Sequence, residues 1–337
     1  MSTCVEARLA RFGAVATLAL GAVAGTAMAA GKVDTPYGES TVAFEVRQVP
    51  DAPVYYVLGQ SGVPGPDNEG HTSNAGFVVT DKGVVVYDAL GTPVLGYRLL
   101  QAIREVTDEP VVLVVAGHYH ADHIYGLQAF REHTDAEIWG QRQSSRYLES
   151  ADADRRLAQR REALFPWVDE STYVVAPDRT FGDRQRFDMG DTAIELIHAG
   201  PGHAPDDTLM VVTRHGVVFS GDLVFSGRLP FLGGDEVDTR RWLEGLRYLE
   251  SLEPAPRFVI PGHGAASADP AGAIAFTRGY IEYLRAEMGK AVEALSDFDT
   301  AYRDTDWSEY ENVPTFDAAN RGNAYRVYLD MEAEQFR

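Results

Sequence analysis

The sequence of 337 residues predicts an α/β protein with an αββα architecture, in which two β-sheets pack face to face and helices cover both outer faces. Strand patterns fall into two groups, over residues 41–116 and 193–260. Each group is followed by a helical pattern, and because a sheet buries its face against another layer, two such units favour a helix-covered sandwich. The remaining sequence predicts a C-terminal helical extension, with helices over 270–295 and 316–336.

The N-terminus is typical of a secretory signal sequence over residues 1–29. Arg8 and Arg11 precede an uncharged, mostly apolar run that ends in Ala27-Met28-Ala29, the small-x-small pattern of a cleavage site. This run is shorter than the roughly 18–20 residues that cross a bilayer, and no later segment of the sequence resembles a span. We therefore expect a periplasmic or secreted protein without a membrane span.

Composition excludes one class of partner and one class of metal ligand. The chain carries 50 acidic and 30 basic residues, a formal net charge of −20, whereas nucleic-acid binding requires a basic face. We expect a small-molecule substrate and no nucleic acid. The single cysteine, Cys4, lies inside the predicted signal sequence, so a metal site in the mature chain would use nitrogen and oxygen ligands.

The first half of the sandwich is predicted from paired strand patterns. The predicted strands are 41–49, 54–59, 75–80, 83–88 and 111–116. Asp81-Lys82 joins two of them as a tight hairpin. Residues 60–73 are rich in glycine and proline and are expected to form a mobile loop. Helical spacing covers 95–106, and the charged stretch 140–165 is typical of a helix or helix pair with a solvated face.

The second half repeats this arrangement. The predicted strands are 193–198, 208–213, 216–220 and 257–260, with a helix over 238–252. We place a catalytic domain at residues 30–295 and the helical extension at residues 296–337. Within the extension, the polar and aromatic stretch 297–314 is expected to be irregular.

The sequence Gly117-His118-Tyr119-His120-Ala121-Asp122-His123 carries the strongest chemical signal. His118 and His120 follow a buried strand, and on an extended chain side chains two apart point the same way, so the two can hold one metal ion. Tyr119 then points away and is expected to pack in the core. Asp122 and His123 fall where the chain enters a helix predicted over 124–130, which directs them toward a second position.

Three further candidate ligands occur singly, each beside a glycine and next to the end of a predicted strand: His203, Asp222 and His263. Each alone would be an ordinary turn residue. Together with the first cluster they complete two coordination shells of nitrogen and oxygen atoms, which suits zinc.

These motifs resemble the metallo-β-lactamase superfamily over most of the mature chain. The segment from His118 to His123 matches its zinc signature, residues 73–88 are similar to its opening hairpin, and Gly200-Pro201-Gly202-His203 is similar to the third-histidine motif of the zinc β-lactamases that use a cysteine ligand. Where those enzymes carry the cysteine, this sequence has Asp222, as glyoxalase II does. The run after Asp222 and the helical tail look most like periplasmic zinc hydrolases associated with quinoprotein or sulfur-oxidation systems.

The resemblance implies a hydrolase with two zinc ions. By the family's pattern the first ion is held by His118, His120 and His203, the second by Asp122, His123 and His263, and Asp222 bridges them. A hydroxide shared by the ions would attack an ester, thioester, lactone or related bond, because two cations bring the pKa of water down toward about 7. Asp122 would orient this nucleophile and relay its proton.

Contacts to the substrate are predicted at two positions, His71 and Arg228. His71 lies in the loop 60–73 and is expected either to touch substrate or to be an ordinary exposed loop histidine. Arg228, six residues beyond Asp222, is expected either to bind a substrate carboxylate or to form a surface ion pair. The zinc β-lactamases with a cysteine ligand carry a lysine three residues after it. That position is Phe225 here, so weak or absent β-lactam hydrolysis is expected.

Two alternatives stay open at the level of sequence. Iron dioxygenases that act on persulfides share the His-x-His-x-Asp-His signature but bind one iron ion, so metal content would separate a redox enzyme from a hydrolase. The other alternative is a non-catalytic periplasmic accessory protein of a quinoprotein system, and a complete set of seven ligands argues against it. The sequence specifies neither the substrate nor the oligomeric state.

Overall fold

The structure, a computed structural model, describes residues 26–27, 31–234 and 236–335. The first sheet consists of β1 (Thr26–Ala27), β4 (Glu45–Gln48), β5 (Val54–Val57), β6 (Ala75–Thr80), β7 (Gly83–Tyr87), β8 (Val111–Val115), β9 (Glu137–Gln141) and β10 (Arg179–Phe181), in that spatial order. Pairs from β1 to β7 are antiparallel, and pairs from β7 to β10 are parallel because helices connect those strands. A separate hairpin pairs β2 (Val33–Thr35) with β3 (Gly38–Ser40).

The second sheet lies in the second half of the chain. It contains β11 (Arg184–Asp188), β12 (Ala193–His198), β13 (Thr208–Val212), β14 (Val217–Ser226) and β15 (Phe258–Gly264), in that order. Neighbours are antiparallel except β14 and β15, which run parallel because a helix connects them.

Helices cover both outer faces of the sandwich. They are α1 (Pro93–Val106), α2 (Ala121–Ile124), α3 (Leu127–His133), α4 (Ser144–Leu148), α5 (Ala151–Ala163), α6 (Thr239–Glu250), α7 (Pro270–Glu293), α8 (Phe298–Asp304) and α9 (Phe316–Gln335). Between the sheets, Val85 and Val115 of the first pack with Ile194, Met210 and Phe219 of the second. Further apolar layers join the first sheet to α1 and α3, and the second to α6, α7 and α9. The predicted αββα architecture is therefore confirmed.

Several element predictions are wrong in detail. The sequence pattern does not predict β2, β3, β9, β10 or β11. In β11 the charged residues face solvent, so no apolar alternation marks it. The helix predicted over 124–130 is two short helices, α2 and α3. The stretch 297–314, expected to be irregular, contains α8, which Asp297 caps by accepting a hydrogen bond from Thr300 N at 3.0 Å.

The expectation of a mobile, exposed loop over 60–73 is wrong for its second half, where residues 68–73 are buried. Hydrogen bonds, not apolar side chains, hold this buried segment in place. The buried Glu69 carboxylate accepts hydrogen bonds from Thr41 N at 2.6 Å, from Val42 N at 3.1 Å and from the Ser40 hydroxyl. These three donors fix the segment against the N-terminal hairpin.

Two predictions concern the ends of the chain. The predicted signal sequence lies outside the described residues except for β1, which pairs with β4. Among the residues that the structure describes, no helix is both long and apolar enough to span a membrane. The predicted extension contributes Ala301, Ala324 and Tyr328 to the apolar layer that contains Trp242. The domain boundary at residue 295 stays a prediction.

Candidate metal centre

The candidate centre lies at the edge of the sandwich where strands of both sheets end. His118 and His120 follow β8, and Asp122 and His123 lie in α2. His203 lies in the connection from β12 to β13, while Asp222 and His263 lie within β14 and β15, which run past their predicted ends. The structure thus brings all seven predicted ligand residues together.

The pairing of β14 with β15 determines how Asp222 and His263 meet. The register of this parallel pair shifts between Phe219 and Gly221 and again between Gly221 and Phe225. Such irregularities redirect side chains at the rim of a sheet. Gly262 leaves room for the result, because a Cβ atom there would lie 2.0 Å from Asp222 Oδ1.

The first group of ligand atoms consists of three imidazole nitrogens. His120 Nδ1 lies 3.0 Å from His118 Nε2 and 3.0 Å from His203 Nε2. The side chains of His118 and His203 are buried. Imidazole nitrogens that converge at this distance need a proton or a metal ion between their lone pairs, and neutral imidazole is a preferred zinc ligand.

The second group shares the Asp222 carboxylate with the first. His263 Nε2 lies 3.3 Å from both Asp122 Oδ2 and Asp222 Oδ2. Asp222 also contacts His123 Nε2 through Oδ1 at 3.2 Å and His203 Nε2 through Oδ2 at 3.2 Å. The Asp222 carboxylate therefore lies between the two triads.

Three sets of ligand atoms within 4.8 Å of one another could each hold a metal ion: His118, His120 and His203; His118, His123 and Asp222; and Asp122, His123 and His263. All donors are nitrogen or oxygen, the chemistry that zinc accepts at about 2.0–2.2 Å. Two inward-facing atoms, His123 Nε2 and Asp222 Oδ1, are buried 3.2 Å apart and form no hydrogen bond of normal geometry with each other or with any other described residue. The donor set and these free buried atoms fit a pair of zinc ions.

Outer contacts fix the orientation of two histidines. His123 Nδ1 lies 2.8 Å from Asp88 Oδ2, and His263 Nδ1 lies 2.6 Å from the Thr72 carbonyl oxygen. Since both partners only accept hydrogen bonds, each Nδ1 carries a proton, which leaves Nε2 as the nitrogen that a metal ion at the centre would bind. This carboxylate or carbonyl support is typical of histidines that ligate metals.

The electrostatics of the centre favour positive charge. Burial opposes a charge on His123, but the carboxylates of Asp222 and Asp88 outweigh burial and raise the pKa of His123 well above its usual value. Burial likewise acts to raise the pKa of Asp222, but the histidines, His263 and His123 foremost, hold it well below its usual range. Burial lowers the pKa of His120 to about 3. A cation at the centre would satisfy both the carboxylates and the uncharged imidazoles.

The centre forms the floor of a cavity of about 490 Å³. Arg228 lines this cavity and is buried, with Nη1 3.1 Å from His263 Nδ1, so the expectation of a surface ion pair is wrong. Phe225 also lines it and stacks on His263 at 5.0 Å between ring centroids. Tyr119 is buried as expected, and its hydroxyl donates to the Val175 carbonyl.

His71 does not occupy the predicted position. Its side chain is fully buried and stacks on Phe44 at 5.3 Å between ring centroids, so it is neither an exposed loop residue nor part of the cavity lining. Thr72 lines the cavity in its place. The loop lacks an apolar period, which predicts exposure, but the hydrogen bonds that bury it join residues distant in sequence.

Asp88 supports the centre although no sequence motif predicts that role. Asp88 is fully buried, and besides contacting His123 it accepts a hydrogen bond from Gly117 N at 2.6 Å. The available signal was a carboxylate placed directly after the buried run Gly83–Tyr87. A charge in that position needs a partner, but the sequence does not identify it.

A helix-covered double sheet with a buried histidine and aspartate cluster at one edge defines a metal-binding α/β protein. The family model described as the metallo-beta-lactamase superfamily matches residues 69–263, and this chain belongs to that superfamily. Members of this superfamily are mostly hydrolytic enzymes.

Two curated relatives are hydrolases by name. The probable metallo-hydrolase YqgX of Bacillus subtilis (strain 168) is 26% identical over 195 residues, which cover 57% of this chain and 85% of the relative. The hydroxyacylglutathione hydrolase GloC of Haemophilus influenzae is 30% identical over 142 residues, 41% of this chain and 62% of the relative.

A solved structure supports the fold. The inverting sec-alkylsulfatase Pisa1 from Pseudomonas sp. superposes with a TM-score of 0.66 at 18% identity, covering 85% of this chain. This chain spans only 50% of the alkylsulfatase, and at this identity the likeness concerns the fold alone.

Proposed function

We propose that this protein is a zinc-dependent hydrolase with a dinuclear site, acting on an ester, thioester, lactone or related bond. One observation carries the proposal: two triads of ligand atoms, joined by the Asp222 carboxylate, form the floor of an open cavity. In this proposal His118, His120 and His203 hold one ion, Asp122, His123 and His263 hold the other, and Asp222 bridges them.

When bound, zinc would polarise a substrate carbonyl and lower the pKa of a water molecule to about 7. Asp122 is the carboxylate best placed to handle the proton of that water, because its side chain is 19% exposed, against 5% for Asp222, and lines the cavity. Phe225, stacked on His263, places an apolar ring beside the centre. Asp122 would orient the nucleophile and pass its proton to the leaving group.

Metal content and a substrate panel test this proposal. Protein purified without added metal should contain about two zinc ions per chain and should hydrolyse at least one of a thioester, a lactone, a carboxylic ester and a sulfate ester. One iron ion per chain with oxygen consumption would instead indicate a persulfide dioxygenase. A metal-free protein that is inactive on the whole panel after zinc addition would contradict the proposal and favour an accessory role.

Asp222→Ala tests the bridging assignment. Removing a carboxylate that contacts His123, His203 and His263 should reduce zinc to one ion or fewer per chain and remove most activity. His133→Ala is the matched control, because His133 is exposed and contacts Tyr37 and Tyr97 instead. Full zinc content with unchanged turnover in Asp222→Ala would show that Asp222 is not a ligand.

We also propose that the chain is exported to the periplasm or secreted, on the basis of its N-terminal sequence. Mass spectrometry of the mature protein should find cleavage after Ala29 and no Cys4. Detection of Cys4 in the mature chain would contradict export by this signal.

A further inference from the structure

One wall of the cavity carries an unusual charge for this chain. The helix α5 contributes Arg155, Arg156 and Arg160 to the lining, and we call these three residues the arginine face. Positions three and four apart lie on one side of a helix, so these side chains share a face with Asp152, which also lines the cavity. In a chain of net charge −20, this concentration of cations at the candidate site is an exception.

Two of these arginines are not neutralised. Arg155 forms an ion pair with Asp152 one helical turn earlier. The side chains of Arg156 and Arg160, by contrast, form no ion pair and no hydrogen bond with any residue in the described ranges 31–234 and 236–335. Arg161, on another side of α5, is instead occupied by the carbonyl oxygens of Asp169 and Thr172. Arg156 and Arg160 are therefore available to a ligand.

Tyr147 connects the arginine face with the metal centre. Its side chain lines the same cavity. Asp122, Arg156 and Arg160 line it as well, and the cavity measures about 490 Å³. A single small molecule in this cavity can therefore face both the arginines and a proposed zinc ligand.

The charged side chains of the cavity wall indicate which functional group such a molecule carries. Outside the proposed ligands, the cavity is lined by four arginines, which include Arg228, and by the two carboxylates of Asp152 and Glu236. The net positive wall attracts anions that the acidic surface repels. Guanidinium groups bind carboxylates and other oxyanions through paired hydrogen bonds.

We propose that the substrate carries an organic oxyanion at the end remote from the scissile bond, and that Arg156 and Arg160 bind this oxyanion. The inference rests on the proposed hydrolytic function. In this proposal α5, a helix outside the ligand motifs, selects the substrate. The arginine face binds the remote end of the substrate and does not contact the scissile bond.

Two esters of similar length but different charge test the proposal. Purified protein should hydrolyse the 4-nitrophenyl monoester of glutaric acid with a higher kcat/KM than neutral 4-nitrophenyl butyrate. The double variant Arg156→Ala/Arg160→Ala should lose about tenfold or more on the anionic ester, the effect of losing a hydrogen bond to a charged group, and less than about twofold on the neutral ester. Added salt should reduce the preference because it screens exposed charges.

Arg146→Ala is the matched control. Arg146 lies on the neighbouring helix α4, is exposed, and does not line the cavity, so its removal should change neither rate. Isothermal titration with glutarate gives a readout that does not need turnover. Its affinity should fall about tenfold in the double variant and stay unchanged in Arg146→Ala.

The outcomes separate this inference from the proposed function. If neither ester is hydrolysed but glutarate binding depends on Arg156 and Arg160, the arginine face binds oxyanions as proposed and ester hydrolysis is contradicted. If both esters are hydrolysed and the double variant loses equally on both or on neither, the hydrolase stands and the inference is overturned. Glutarate affinity that is unchanged in the double variant also overturns it.

Discussion

Replacing Asp88 tests how the buried network outside the proposed ligands supports the centre. Asp88 is fully buried and has a left-handed backbone, with φ of 60°. Its carboxylate receives hydrogen bonds from His123 Nδ1 at 2.8 Å and from Gly117 N at 2.6 Å. The side chain therefore holds both an imidazole and the backbone directly before the His118 segment.

The size of the effect follows from these contacts. Asp88→Ala leaves two buried donors without an acceptor, at about 1–3 kcal/mol each, and places alanine in a left-handed conformation at roughly 1–2 kcal/mol. Such a loss is comparable with the 5–15 kcal/mol by which typical proteins are stable, so this variant is expected to fold poorly. Asp88→Asn keeps the shape and tolerates the backbone conformation, but its single oxygen can satisfy only one of the two donors. We expect it to lose about 1–3 kcal/mol of unfolding free energy.

Metal affinity gives the decisive measurement for Asp88→Asn. Loss of the carboxylate partner of a ligating histidine typically weakens metal binding by about 10–100-fold, so zinc competition with a chromophoric chelator should show that decrease. Asp51→Asn is the control, because Asp51 is an exposed aspartate with a similar φ of 57°. A folded Asp88→Asn variant with the zinc affinity of the natural chain would refute the role of Asp88.

Three further predictions use other parts of the molecule. Burial lowers the pKa of His71 to about 4, so between pH 6.5 and pH 4 the unfolded chain binds a proton at this residue and the folded chain does not. Over that range the natural chain should therefore lose about 3 kcal/mol more unfolding free energy than His71→Phe, as measured by urea denaturation. Glu69→Ala should cost about 1–3 kcal/mol in the same assay, because it orphans the buried backbone donor of Val42 and the part-buried donor of Thr41. A loss under about 1 kcal/mol would show that these donors find other acceptors. Because Phe225 supplies no cation, kcat/KM for a penicillin, a cephalosporin and a carbapenem should stay below about 10⁵ M⁻¹s⁻¹.

The sequence predicts those parts of this protein in which a short sequence pattern is compatible with only one local structure. The alternation and turn chemistry around Asp81-Lys82 yield the observed pair β6 and β7. The spacing of His118 and His120 after β8 places both imidazoles at one edge of the sheet, as extended geometry requires. Both predictions rest on neighbours within about ten residues.

The contacts that escape prediction join segments far apart in the chain. The Glu69 carboxylate is buried because residues 40–42 return beside it, and Asp88 is oriented by Gly117, 29 positions later. The strands β14 and β15 extend past their predicted ends because their pairing continues through two register shifts as far as Ser226 and Gly264. This continued pairing places Asp222 and His263 in one site. A period in hydrophobicity carries no information about such polar pairings.

The C-terminal extension shapes the cavity although it contains none of its proposed ligands. Phe231 and Gly233 line the cavity, and the backbone beside them is held by Asn323 of α9, whose Oδ1 accepts a hydrogen bond from Leu232 N at 2.7 Å and whose Nδ2 donates to the Pro230 carbonyl at 2.7 Å. Arg228, three residues before Phe231, places its guanidinium carbon 5.7 Å from the centroid of the Phe231 ring. A chain that ended at residue 295 would leave these backbone groups without partners, so the extension is part of the site's architecture even though the ligand motifs end at His263.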